Sequence, residues 1–586
     1  MLNQYFFITL YLRMFYQKHP LFLLIQAKKN MENKVRIHCT NTDTYKDFPT
    51  GTSLTEILKV FSPQTKYRVV NAKVNNKTEP LYYQPYHNKT VTFIDLSEAS
   101  GMRTYVRSLC FLLAKAVSEV FPEGQLYIEH PISLGYFCRI INVSNVIDEK
   151  AIVAIKEKMQ EYVNADIPFE GVEEETDQVV KMFRDKGFED KALLLETTGE
   201  IYSKYYRLGD SVDYFYSCLV PSTGYIDIYD LELYHDGLLL RVPNRSNPVE
   251  LEPRIEQPMM YNVYKEHLKF LNIIGMDNVG DMNKANKEGL ITNIIKVAEA
   301  YQEKTIANIA EQIAARSEDG VRVVLISGPS SSGKTTFRMR LEVQLMVNLM
   351  KPVGLSLDNY FVDRHLTPLD ENGGYDFESL YALDIPKFNE DLENLLSGKE
   401  IELPTFNFTT GKREYKGDKL KLEEHTILVI EGIHGLNPDL TAGIPDNQKY
   451  GIYVSALTTI SLDNHNWIPT TDNRLLRRLI RDHRYRNYSA IDTLSRWQSV
   501  RRGEDKWIFP YQENADVMFN SAMIYEFAAL RRYAEPILLQ VPNNAPEYAE
   551  AHRLLKFLKY FNYINDRELP PTSLLREFVG GSSFKY

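Results

Sequence analysis

The sequence predicts a multidomain α/β protein: two small α+β units, then a C-terminal half built on a doubly wound parallel sheet. Three observations predict it. At 586 residues the chain is too long for one hydrophobic core. The β-branched run VRVVLIS, Val321–Ser327, leads directly into a glycine-rich loop and then a helical stretch. Two further apolar runs, VGLSL and TILVIEG, follow downstream, as strand–helix alternation in a parallel sheet requires.

Composition narrows the class. With 44% hydrophobic and 25% charged residues the chain falls among globular proteins, away from disordered and membrane classes. A net charge of −10 gives no chain-wide attraction to nucleic acid or to an anionic membrane, so neither DNA nor a membrane is expected as a partner. The four cysteines, Cys39, Cys110, Cys138 and Cys218, form no CxxC pair, which suits a reducing, cytoplasmic setting. Residues 1–30 are apolar in two pieces, interrupted by Arg13, Lys18, His19 and Pro20, so no run reaches membrane-spanning length. They read as an upstream extension before Met31, with a membrane-associating leader as the alternative.

Residues 31–98 read as short strands, Val35–Cys39 and Thr90–Ile94 among them, around one short helix. Its start, PTGTSLTEI, carries a capping-box pattern with Ser53 as cap and Glu56 three residues on. This segment resembles the TGS domain of threonyl-tRNA synthetases and some GTPases. Residues 99–252 begin with a helix from about Met102 to Val120, followed by GQLYIEHPISLGYFCRI and VDYFYSCLVPSTG, and together resemble the editing-type domain of threonyl-tRNA synthetase. In that family HxxxH and CxxxH supply ligands. The matching positions are Arg107, Phe111, Phe215 and Leu219, none of which binds a metal or moves a proton near neutral pH, so a scaffold is expected. The resemblance leaves RNA contact through this front half open. Residues 253–320 read as a helical connector ending in a helix from about Asn286 to Arg316, with one apolar stripe through Ile295, Ile306, Ile309 and Ile313.

The loop after Val321–Ser327 reads GPSSSGKTT, which satisfies GxxxxGK[ST] through Gly328, Gly333, Lys334 and Thr335. Glycines let successive backbone N–H groups of Gly328, Pro329–Ser332, Gly333 and the helix start at Lys334–Thr336 wrap phosphate oxygens, proline excepted for want of an N–H. Lys334 is placed to reach β- and γ-phosphates, and the Thr335 hydroxyl to reach magnesium. Asp358 ends the next apolar run, where a carboxylate orients an acceptor hydroxyl and takes its proton; a turn or helix cap is the alternative. Glu431 ends the third run and is the second expected metal contact. In TTDNRLLRRLIRDHRYR the residues Arg474, Arg477, Arg478 and Arg481 share a helical face, with Thr471 or Asp472 suited to cap it. Four cations on one stripe call for an anion opposite: a nucleotide's phosphates, or else solvent with partial pairing to Asp482.

The order GPSSSGKTT, SLDNYF, LPTFNF, VIEGIHGL, DNRLLRRLIRD, ADVMFNS is similar to that of the uridine kinase and phosphoribulokinase family over roughly residues 321–542. The resemblance implies ATP and Mg2+ as cofactors and a nucleoside acceptor. It implies Asp358 as base, Glu431 as magnesium ligand, and the four arginines on a lid over the phosphates. The domain is drawn at residues 321–545, with a helix and tail at 546–586. Departures fall where specificity is made: Phe406, Asn407 and Phe408 replace Tyr-Asp-Phe, Gly411 replaces a nucleoside-contacting His, and Tyr485, Arg486, Asn487 and Tyr488 replace ERGR. Arg413 keeps its family position. The three-part arrangement, down to the final SLLREFVGGSSFKY, resembles bacterial fusion proteins called nucleoside kinases. A GTPase is disfavoured because no NKxD follows the loop. A nucleotide-switched RNA- or ribosome-associated regulator is the alternative from another class. Oligomeric state is not legible in the sequence.

Overall fold

The structure, a computed structural model, describes residues 34–143, 147–371, 373–423 and 425–586. The reading of residues 1–30 lies outside the described residues. The first unit is a five-stranded sheet in which strands Lys34–Cys39 and Lys89–Ile94 pair in parallel and the other neighbours antiparallel. Its helix, Leu54–Phe61, carries the expected capping box between Ser53 and Glu56 and buries Leu54, Ile57 and Phe61. Such a cap contributes about 1 kcal/mol.

The second unit opens with the helix Ala99–Val120, three residues earlier than Met102, because no side chain caps its start and no local signal marks it. This helix packs beside Glu149–Ala165 over a four-stranded antiparallel sheet, with a separate three-stranded sheet alongside. The positions aligned with the editing ligands do converge, and they are filled. The Phe111 ring lies 5.8 Å from those of both Phe169 and Phe215, and Leu219 is buried in the same core. Arg107 turns away onto Tyr216, its guanidinium 4.8 Å from the ring centre and its Nη2 donating to the hydroxyl at 3.3 Å. Among the described residues no His, Cys, Asp and Glu group is arranged to hold a metal.

The connector differs from expectation. It is three helices, Pro258–Ile274, Val279–Lys287 and Ile291–Glu318; the long helix does not begin near Asn286, because Gly289 adopts φ 77° and breaks it there. Nor is it a spacer. The largest core joins Leu271 and Ile295 of the connector to Phe183 and Tyr205 of the second unit and to Leu475, Phe527 and Phe557 of the C-terminal half.

The C-terminal half holds a five-stranded parallel sheet in the order Lys351–Ser356, Thr426–Glu431, Val323–Ser327, Lys449–Ser455, Val517–Asn520. Alternation along the central strand explains the double winding. Val324 and Ile326 pack against Phe337 and Leu341 and against Ile306, Ile309 and Ile313 on one face; Val323 and Leu325 meet Phe388 and Leu392 on the other. Each large side chain so buried contributes about 1.5–3 kcal/mol. All four cysteines are buried and unbonded. Among the described residues no helix is long and apolar enough to cross a membrane.

Candidate active site

Sheet register assembles the site. Ser356 stands opposite Glu431, and Glu431 opposite Ile326, so Asp358, Glu431 and the loop from Gly328 all emerge at one carboxyl edge. The strand Val323–Ser327 is buried throughout and turns into the loop at Gly328, where a Cβ would run into the Val454 carbonyl oxygen. Only glycine fits. Gly333, at φ 86°, begins the loop helix Lys334–Val347 and offers no side-chain cap, so the first-turn N–H groups face the loop. The hydroxyls of Ser331 and Ser332 are buried with no protein partner.

Lys334 Nζ donates to the carbonyls of Gly328 at 2.8 Å and Pro329 at 3.1 Å, folded back across its own loop. Burial pulls its pKa down, opposed by the carboxylates of Glu431, Asp358, Glu577 and Glu378. Thr335 Oγ1 donates to Glu431 Oε1 at 3.3 Å. Burial pushes Glu431 up to about 7 against the pull of Arg338 and Lys334. Its other oxygen, Oε2, is buried without a partner. A hydroxyl beside a carboxylate with an unused oxygen is a donor set that suits a hard divalent cation.

Asp358 lies in the one-turn helix Leu357–Tyr360, and the cap of that turn is Ser356, whose Oγ accepts from the Asp358 N–H at 3.4 Å. The capping alternative for Asp358 is thereby removed. Asp358 is an exposed residue whose carboxyl pKa is raised by desolvation from the protein around it, with the fields of Lys334, Arg486 and Arg481 opposing the rise.

The arginine helix, Thr470–Arg486, corrects two expectations. Its cap position is Pro469; Asp472 is inside the helix and pairs with Arg553 at 2.7 and 2.8 Å. The four arginines also divide into two pairs. Arg474 and Arg477 are 1% and 0% exposed and ion-paired with Glu504 and Glu526. Each also donates through Nη1 to a loop carbonyl, Arg474 to Ser330 at 3.2 Å and Arg477 to Ser331 at 3.4 Å, while Arg477 holds Ser521 as well and Arg474 Nε is buried without a partner. The anion opposite them is therefore protein carboxylate. Arg478 and Arg481 are the less buried pair: Arg478 Nη1 donates to Ser330 Oγ at 3.1 Å, and Arg481 contacts Asp482 at 3.4 Å. Burial and the neighbouring Arg486 lower Arg481 to about 10.

Three acidic residues were missed from sequence: Glu504, Glu526 and Glu378. Glu378 stands within the fields of Glu504, Arg478 and Lys334, pushed up to about 7 by burial and by Glu504, with Arg478 and Lys334 opposing. It fits there because Gly503 has no Cβ to strike it. Four stacked arginines were the available signal that buried carboxylates lay opposite, but not of which ones. On the acceptor side, Phe361, Phe406 and Phe408 form an aromatic trio with centroids 5.1 to 6.4 Å apart. Asn407 is spent on its hairpin, accepting from the N–H groups of Thr409 and Thr410, and Arg413 is held by Asp384 at 2.8 Å.

Residues 323–526 match the Phosphoribulokinase / Uridine kinase family. Over 200 residues the chain is 27% identical to a uridine kinase of Ureaplasma urealyticum and 28% identical to one of Staphylococcus aureus, in each case covering 33% of this chain and 86% of the relative. It is also 26% identical over 187 residues to the threonine–tRNA ligase of Carboxydothermus hydrogenoformans, covering 32% of this chain. The chain spans only 29% of that ligase's length. The segment 323–526 is thus a phosphoribulokinase/uridine kinase family domain, carried in one chain with an N-terminal region similar over 187 residues to part of a threonine–tRNA ligase.

Proposed function

We propose that the C-terminal half transfers the γ-phosphoryl group of ATP to the 5′-hydroxyl of a nucleoside, with Mg2+ as cofactor. One observation carries the reading: Lys334, the Thr335–Glu431 pair and Asp358 converge at a single sheet edge around a loop of backbone donors. Backbone N–H groups of Gly328, Ser331, Ser332, Gly333 and Lys334–Thr336 hold the phosphates, joined by that of Ser330 once it leaves Glu504 Oε1, to which it donates at 3.2 Å, and Lys334 exchanges its carbonyl partners for β- and γ-oxygens. Thr335 and Glu431 hold the magnesium ion, which screens phosphate charge when bound.

Asp358 accepts the proton of the acceptor hydroxyl as its oxygen bonds to the γ-phosphorus and the bond to ADP breaks. A base whose pKa is raised toward neutrality takes a proton more readily than an ordinary carboxylate. Arg478 and Arg481 lie over the transferred group, while Arg474 and Arg477 act as positioning residues that pin the loop through Ser330 and Ser331. The trio Phe361, Phe406 and Phe408 supports a ring-bearing acceptor, since an aromatic face packs on a base. Recognition of uracil itself is not part of the proposal, because Gly411 has no side chain to offer it and Arg413 is tethered through Nη2 to Asp384, leaving only its buried Nη1 without a partner.

The test is transfer of labelled γ-phosphate from ATP to a panel of nucleosides. Asp358→Asn is expected to cut turnover by about 10²–10⁴-fold with ATP binding intact. Unchanged turnover in that variant would remove Asp358 as base. A wild-type chain that binds ATP yet phosphorylates no nucleoside or other small alcohol would favour the nucleotide-switched regulator instead.

A further inference from the structure

The segment Ser573–Tyr586 is built against the phosphate loop although it lies far beyond it in sequence. Leu574 packs where a Cβ on Gly333 would sit, and Phe578 lies 5.1 Å from the Arg477 guanidinium. Arg484, at the end of the arginine helix, donates to the Val579 carbonyl at 2.8 Å. Arg576 holds the turn by donating to the carbonyls of Asp566, Leu569, Pro570 and Gly580. Gly580, at φ 84°, has no room for a Cβ beside Arg484. The chain then returns so that the Tyr586 hydroxyl sits 3.0 Å from Thr336 Oγ1, which also donates to Glu577 Oε2 at 2.7 Å. Ser582 Oγ, 3.1 Å from the same phenol oxygen, completes the tether. Tyr586 as a whole residue remains 56% exposed.

Consecutive helical residues point about 100° apart. Thr335 faces Glu431, the side of Asp358 and the acceptor; Thr336 faces the Ser573–Tyr586 segment. A triphosphate gripped by the loop with its γ-end toward Asp358 therefore carries its nucleoside toward Thr336, Glu577 and Tyr586. We propose that this segment forms the nucleoside end of the donor site: Tyr586 packs its exposed ring face on the purine of ATP, and Glu577 is a positioning residue that fixes the Thr336 hydroxyl. The inference rests on the kinase reading above and adds a binding residue to it.

Titration calorimetry on the full chain tests it, with a non-hydrolysable ATP analogue and with inorganic tripolyphosphate as probes. Base–aromatic packing of this kind predicts that Tyr586→Ala weakens the analogue by about tenfold. Tripolyphosphate, which has no base, is expected to bind that variant as it binds the wild type, and Tyr586→Phe, which keeps the ring but loses the hydroxyl tether to Thr336 and Ser582, to bind the analogue less tightly than the wild type but more tightly than Tyr586→Ala. Wild-type affinity for the analogue in Tyr586→Ala would overturn the proposal and leave the kinase reading standing. An equal loss for both probes would also overturn it, since the segment would then only prop the loop. A wild-type chain that binds neither probe would remove the kinase reading, and the donor site with it.

Discussion

Two regions of this chain gather side chains at positions that resemblance assigns to chemistry, and they do so in opposite ways. Around Phe111 in the second unit the gathered groups are apolar or satisfied: Phe111, Phe215 and Leu219 pack on one another and Arg107 is engaged by Tyr216. Around Lys334 they are polar and unfinished: Glu431 Oε2, Ser331 Oγ and Ser332 Oγ are buried without partners, and Lys334 donates only to its own loop. An unpaired buried polar atom costs about 1–3 kcal/mol, so the atoms around Lys334 carry a cost that those around Phe111 do not. The first region is packed as a core, whereas the second leaves polar atoms without protein partners.

Three substitutions break or sharpen this contrast. The largest effect is expected from Lys334→Ala: a loss of phosphoryl transfer by about 10²–10³-fold or more, with thermal unfolding little changed. Near-normal turnover there would erase the distinction from the catalytic side. Next, Phe111→Ala is expected to destabilise the protein by about 3–5 kcal/mol, read by denaturant unfolding, while turnover per folded molecule stays the same. A drop in turnover without a drop in stability would give the filled region a functional part.

The smallest effect is a pH slope. His130 is buried with neither ring nitrogen partnered, stacked 3.6 Å from Tyr264 of the connector, and burial lowers it to about 3. The unfolded chain protonates this histidine near its ordinary value while the folded chain resists, so the unfolded state binds more protons between about pH 6.5 and 3. The contribution is present in full above that window and is lost as pH falls through it, at up to about 1.4 kcal/mol per pH unit. His130→Phe keeps an aromatic ring against Tyr264 and should flatten the acid limb of a stability-versus-pH curve. An unchanged slope would show that acid lability arises elsewhere.

Legibility followed locality. The loop was readable because its strand, glycines, lysine and helix are contiguous, and each residue type is dictated by backbone geometry next to it: Gly328 by the Val454 carbonyl, Gly333 by its left-handed φ. The capping box at Ser53 was readable for the same reason. The break at Gly289 was not, since the apolar stripe continues across it and only the backbone turn separates the helices. The division of the arginines was not readable either. Spacing places all four on one face, but Glu504 and Glu526, which neutralise two of them, come from other helices.

What the sequence determined by itself was the glycine-rich loop with its lysine and the carboxylates that follow the neighbouring strands, because each is announced by its immediate neighbours. What the tertiary structure decided was which of those groups remain available. Arg474 and Arg477 are committed to buried carboxylates, Glu431 keeps an oxygen unused, and Tyr586 is brought onto Thr336 from 250 positions away. The physical reason is that desolvation and pairing depend on what lies opposite a side chain in space, and no local pattern carries that information.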